Sequence, residues 1–89
     1  MPRISAFYGI TIWMYYDEDQ HPGRRHFHAR YAEFEASVDI DTLTVISGGL
    51  PRRALRMVHE WAEVHRRALL ENWRLARERK PLTSIEPLT

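Results

Sequence analysis

Hydrophobic and polar residues alternate along the first half of the chain and recur at helical spacing along the second. In "RISAFYGITIWMYY", residues 3–16, β-branched and aromatic residues dominate and Gly9 interrupts them. That composition predicts two strands, or one strand bent at Gly9, with Ile10, Ile12, Met14 and Tyr16 on one face. "DEDQHPGRR", residues 17–25, gathers acids, a proline and a glycine and reads as a loop. Phe27, Ala29 and Tyr31 then alternate with His26, His28 and Arg30, and Phe34, Ala36, Val38 and Ile40 alternate with Glu35, Ser37 and Asp39. This is the period of strands with one apolar and one polar face.

A two-residue turn at Ala32 and Glu33 would set Tyr31 opposite Phe34, Ala29 opposite Ala36 and Phe27 opposite Val38 on the core side. Arg30 would then oppose Glu35, His28 would oppose Ser37, and His26 would oppose Asp39. Ala-Glu is a poor two-residue turn, because such turns favour Gly, Asn or Asp at positive φ; a longer loop with another even offset would keep the faces and change the partners. "LTVI", residues 43–46, predicts a further strand closed by "SGG".

From Pro51 to Lys80 the spacing predicts one long amphipathic helix. Ala54, Val58, Trp61, Val64, Leu69 and Trp73 fall on one half of its wheel, and Arg52, Arg56, His59, Arg66, Arg67, Arg74 and Arg77 on the other. His65 and Asn72 lie near the middle of the apolar half. A buried polar side chain without a partner costs about 1 to 3 kcal/mol, so each needs a hydrogen bond. Leu70 is the converse, apolar on the basic face, where it marks a candidate partner surface. Pro81 ends the helix, and residues 81–89 read as an extended tail that lies on the domain or adds at a sheet edge.

The expected fold is therefore α+β: a short antiparallel meander of about four strands, with its sheet within residues 1–47, packed against one long C-terminal helix over 51–80 and followed by the tail. At 89 residues, 44% hydrophobic and 28% charged, the chain is long enough for one core and predicts a single domain. It has no cysteine, which removes disulfides and thiolate ligands, and no apolar run near the ~20 residues that span a bilayer. With no basic leader, a cytoplasmic protein with no membrane partner is the default expectation. The net charge of +1 conceals an asymmetry: residues 1–50 carry 4 basic against 7 acidic side chains, residues 51–89 carry 9 against 5. A basic second half suits RNA, DNA or an acidic protein, although several of its charges sit beside opposite charges at helical spacing.

"ISAFYGITIWMYY", "HFHARY", "GGLPRRALRMVHEWAEVHRRALLENW" and "IEPL" resemble the small prokaryotic proteins grouped as domain of unknown function 4160, over nearly the whole chain. The resemblance implies a short antiparallel sheet followed by a helix. It also implies a small partner protein encoded by an adjacent gene, in a toxin–antitoxin-like arrangement. His26, His28, Trp61, His65, Asn72 and Trp73 match the family pattern, with His21 matching less closely. Members usually carry a Pro-Pro pair before the first of the two histidines, where this chain has Gly23, Arg24 and Arg25.

Two histidines at i and i+2 on a strand point the same way. They can share a divalent metal, with His21 or Asp39 as third ligand and His65 as fourth, which would suit a small metal-binding domain or metal-dependent hydrolase. Without a metal, His26 or His28 can act as general base or acid on RNA, with Asp39 orienting the ring, Arg25 or Arg30 holding phosphate, and Arg24 joining them in a basic patch. Arg52 and Arg53 would extend that basic patch if the helix start neighbours the loop. The bland alternative is a purely structural interaction module in which the histidines and Asn72 are hydrogen-bonding core residues and both Trp61 and Trp73 are core. An open edge strand and Leu70 also allow a homodimer.

Overall fold

Two residues, Tyr8 and Gly9, close the first hairpin, and both take positive φ, 49° and 82°. Turns of this kind match the right-handed twist of the strands they join. The structure, a computed structural model, describes residues 2–16 and 24–89. β1 (Arg3–Phe7), β2 (Ile10–Trp13), β3 (His26–Tyr31), β4 (Phe34–Asp39) and β5 (Val45–Gly49) form one antiparallel sheet in sequence order. The expectation of about four strands is thus corrected to five: Tyr8-Gly9 makes a true reversal, so the first apolar stretch supplies two strands.

The β3–β4 register is the one the alternation predicts, from His26 opposite Asp39 to Tyr31 opposite Phe34. Ala32 reaches it by taking φ of 52°, a conformation that costs a non-glycine residue on the order of 1 kcal/mol. Side-chain parity on both faces outweighs that cost. β5 begins later than the sequence suggests. Leu43, at φ 62°, is buried in the connection, and "SGG" belongs to the strand. Gly48 has φ 73°, and a Cβ there would collide with the Glu35 carbonyl oxygen, so only glycine lets β5 approach β4 at that point.

The single helix expected over residues 51–80 is two: α1 (Arg52–Val64) and α2 (Arg66–Arg77). His65, at φ −108° and ψ 22°, separates them without proline or glycine. One contact at the break is local and one is tertiary. The His65 ring lies 5.6 Å from the Trp61 ring, and Arg66 Nε donates to the Ile40 carbonyl at the end of β4. Val64, expected on the apolar half, is the last residue of α1 and is 74% exposed. α2 ends in a Schellman turn with Arg79 at φ 57°, where Lys80 N–H donates to Leu75 O and Arg79 N–H to Ala76 O.

The helices cover the sheet face that carries Phe27 and Ala29. Trp61, fully buried, meets Phe27 at 6.0 Å and Phe7 at 5.4 Å between ring centroids. Around it lie Ile10, Ile12, Val58 and Leu69, also fully buried, each contributing about 1.5 to 3 kcal/mol of burial. The tail turns back over this core. Asn72 Nδ2 donates to Thr83 O and Asn72 Oδ1 accepts from Thr83 N–H, both at 2.8 Å; Trp61 Nε1 donates to Glu86 O. Ile85 N–H donates to Ile4 O, and Ser5 Oγ donates to Ile85 O, so the tail adds at the β1 edge.

Candidate functional site

On the other face of the sheet β3 presents His26, His28 and Arg30, paired with Asp39, Ser37 and Glu35 of β4, and β2 adds Thr11 and Trp13. The two imidazoles project together: their centroids are 5.3 Å apart, edge to face. They are shut in, at 1% and 5% exposure. Tyr15 covers His28 at 4.6 Å, and Trp73 of α2 lies 5.3 Å from His26. Each ring is oriented. His26 Nδ1 is 2.8 Å from the Arg24 carbonyl, which can only accept, so Nδ1 carries the proton. His28 Nδ1 is 3.3 Å from Ser37 Oγ and 3.4 Å from Glu35 Oε2.

Asp39 faces His26 across the register, and its carboxylate is engaged at the strand end. Oδ1 accepts from the Asp41 and Thr42 amides at 2.7 and 2.9 Å, and Oδ2 from Arg24 Nε and Nη2 at 3.1 and 3.0 Å. Burial pushes its pKa up, but the Thr42 amide, the Arg24 guanidinium and the Asp41 amide together outweigh burial and hold it below the ordinary value. Arg25 pairs with Asp41 at 2.6 Å and Arg30 with Glu35 at 3.2 Å. Arg30 also lies over the Trp13 ring, 5.3 Å from its centroid.

Of the residues singled out from the sequence, His26, His28, Arg24, Arg30 and Asp39 therefore share one surface, with Arg25 at its border. His65 sits instead at the helix break against Trp61, and Asn72 is the clamp of the tail. His21 lies outside the described residues. Among the described residues no group of three His, Asp or Glu side chains could hold a metal ion. The extended arginine patch divides: Arg53 lines a cleft with Tyr8, Tyr31 and Met57, Arg52 lies on the outer face of α1, and Arg25 borders α2. Sequence reasoning missed Tyr15 as the cover of His28 and placed Trp73 in the core. Trp73 is only half buried.

What this arrangement can do follows from its exposure. Two adjacent imidazoles could serve as acid and base, but that work requires hydrogen-bond reach to the substrate. The accessible groups on this face are Arg24, Arg30 and Glu35, with Trp13 and Tyr15 half exposed. The imidazoles lie beneath these groups and not among them.

The family model described as Domain of unknown function (DUF4160) matches residues 9–74, and the chain belongs to that family. No curated protein and no solved structure matches it. Among the described residues no helix is long and apolar enough to cross a membrane.

Proposed function

We propose that this DUF4160 protein is one component of a toxin–antitoxin-like pair, bound to a small partner protein and contacting RNA through the arginine- and histidine-bearing face of its sheet, without cleaving it. The observation that carries the reading is the Arg30 guanidinium over the Trp13 ring, beside His28 on the sheet face opposite Trp61. Single-stranded RNA is held on sheets by aromatic planes that stack bases and by cations that meet phosphates, and one base–aromatic stack is worth about 1 to 3 kcal/mol. The buried His26 and His28 hold the strand face in shape beneath that platform. The partner has an edge to pair with: β1 is closed by the tail, whereas the exposed β5 has no neighbour beyond β4 among the described residues.

Co-expression with the product of the neighbouring gene tests the first half: a stable complex and altered growth are expected, and a chain indifferent to that product refutes it. Titration of labelled single-stranded RNA tests the second. Trp13→Ala and Arg30→Ala should each weaken binding by roughly fivefold or more, and unchanged affinity in both removes the sheet face as the RNA surface. The burial of both imidazoles favours a second reading, a purely structural interaction module, in which His26→Ala and His28→Ala lower stability and leave every activity intact.

A further inference from the structure

Arg67, Leu70, Arg74 and Arg77 recur at intervals of three, four and three residues, so they form one stripe along α2. Together with Arg25, Trp73, Glu71 and Glu78 they line an open, shallow cleft of about 700 Å³. Four guanidiniums line it with two carboxylates; Arg25 is paired with Asp41 outside the cleft, and Glu78 also meets Lys80 at 3.0 Å. Both carboxylates are occupied by Arg74, with Glu71 Oε2 at 2.5 Å and Glu78 Oε2 at 2.9 Å. That leaves Arg67 with no ion pair among the described residues, and Arg77 with its guanidinium 5.9 Å from the centroid of the Trp73 ring. The cleft is therefore basic at both ends and has an apolar floor of two half-buried side chains, Leu70 and Trp73.

Length decides what kind of anion fits. Ten residues of helix separate Arg67 from Arg77, a rise of about 15 Å. One phosphate cannot meet both, but successive phosphates of a strand can. A docking partner helix would need apolar anchors at i, i+3 or i+4, and i+7, and two apolar side chains among four arginines do not supply them. Trp73 is also supported from behind, where His26, fixed by its bond to the Arg24 carbonyl, lies at 5.3 Å. We propose that the cleft binds single-stranded nucleic acid, its backbone running along α2 from Arg67 to Arg77 and a base resting on Leu70 and Trp73. His26 is then a positioning residue for Trp73. This rests on the reading that the chain contacts RNA, and it adds a second surface to the sheet face.

Fluorescence anisotropy with a short labelled single-stranded RNA, over a series of salt concentrations, tests it. Each phosphate interaction removed should flatten the slope of log K against log salt by about 0.7, so Arg67→Ala with Arg77→Ala should flatten it by about 1.4. Arg67→Lys with Arg77→Lys should keep the slope. Both positions are exposed, so the folded chain should persist, as circular dichroism would confirm. If the alanine pair loses affinity while Trp13→Ala with Arg30→Ala does not, the cleft stands and the sheet face falls; loss in both pairs supports a continuous track. If only the Trp13 and Arg30 pair loses affinity, the cleft is overturned and the sheet face stands. A mononucleotide or an acidic peptide bound as tightly as the strand overturns the proposal, and no RNA binding by the unaltered chain overturns both.

Discussion

Asn72 and His26 are equally buried, at 1% exposure each, and both lie within the span that the family model matches, yet they serve different parts of the molecule. Asn72 meets the main chain of Thr83 through both ends of its amide, so its reach stops at the tail. His26 touches Arg24, His28 and Trp73, and through them the arginine-bearing surface and the cleft along α2. Both side chains hydrogen-bond to backbone, and the difference lies in what else they touch: Asn72 holds the tail alone, whereas the His26 ring packs against His28 and the half-exposed Trp73 and so supports a surface.

The contrast breaks first, and with the largest effect, at the clamp. Asn72→Leu removes two hydrogen bonds and should cost about 2 to 3 kcal/mol, lowering the melting temperature by roughly 10 to 20 °C. Amide exchange at Ile85 should quicken because its bond to Ile4 lies downstream of the clamp. RNA affinity measured well below the melting point should not move. A variant that keeps its stability but loses RNA would place Asn72 on the functional side. His26→Ala should cost about 1 to 3 kcal/mol and also loosen Trp73, seen as lower RNA affinity and altered tryptophan emission. If stability alone changes, His26 is no more than a second Asn72.

Acid should separate the same two regions. The Asp39 pKa is depressed in the folded chain, so its contribution to stability is full above the ordinary value near 3.8 and is lost as pH falls through the folded value. Asp39→Asn should remove that part of the acid dependence of unfolding, and loosen Arg24 and the Asp41–Thr42 connection while leaving the tail clamp intact. Equal acid profiles for the variant and the unaltered chain would show that other carboxylates carry the transition.

Parity was legible in the sequence because both faces of β3 and β4 are marked: a slip of one residue would expose Phe27 and bury Arg30. The need of Asn72 for a partner was legible too. Its identity was not, because Thr83 is brought back by a Schellman turn built on Arg79, where glycine is the usual signal. The break at His65 leaves no mark on a wheel, since apolar spacing continues through it, and the Arg66 bond to the Ile40 carbonyl that accompanies it joins residues far apart in sequence. Gly48 in "SGG" reads as an end of strand until Glu35 stands beside it. The basic stripe of α2 was visible as charge, but its cleft depends on the fold setting Trp73 against His26 and Arg25 beside the outer face of α2.

At the β3–β4 turn only a small change in stability is expected. Ala32 sits at φ 52°, where an L-residue is strained, and it closes the hairpin that sets the positions of His26 and His28. Ala32→Gly would relieve the strain but add about 0.4 to 1 kcal/mol of unfolded-chain entropy, nearly cancelling the gain. Asparagine tolerates the left-handed region without that entropy, so Ala32→Asn should stabilise the chain by about 0.5 kcal/mol, raising the melting temperature by roughly 2 to 4 °C. Exchange at β3 and β4 amides should slow while exchange at Ile85 stays put. If Ile85 slows equally, the hairpin and the tail clamp open as one unit, and Asn72 and His26 differ in what they touch but not in what they stabilise.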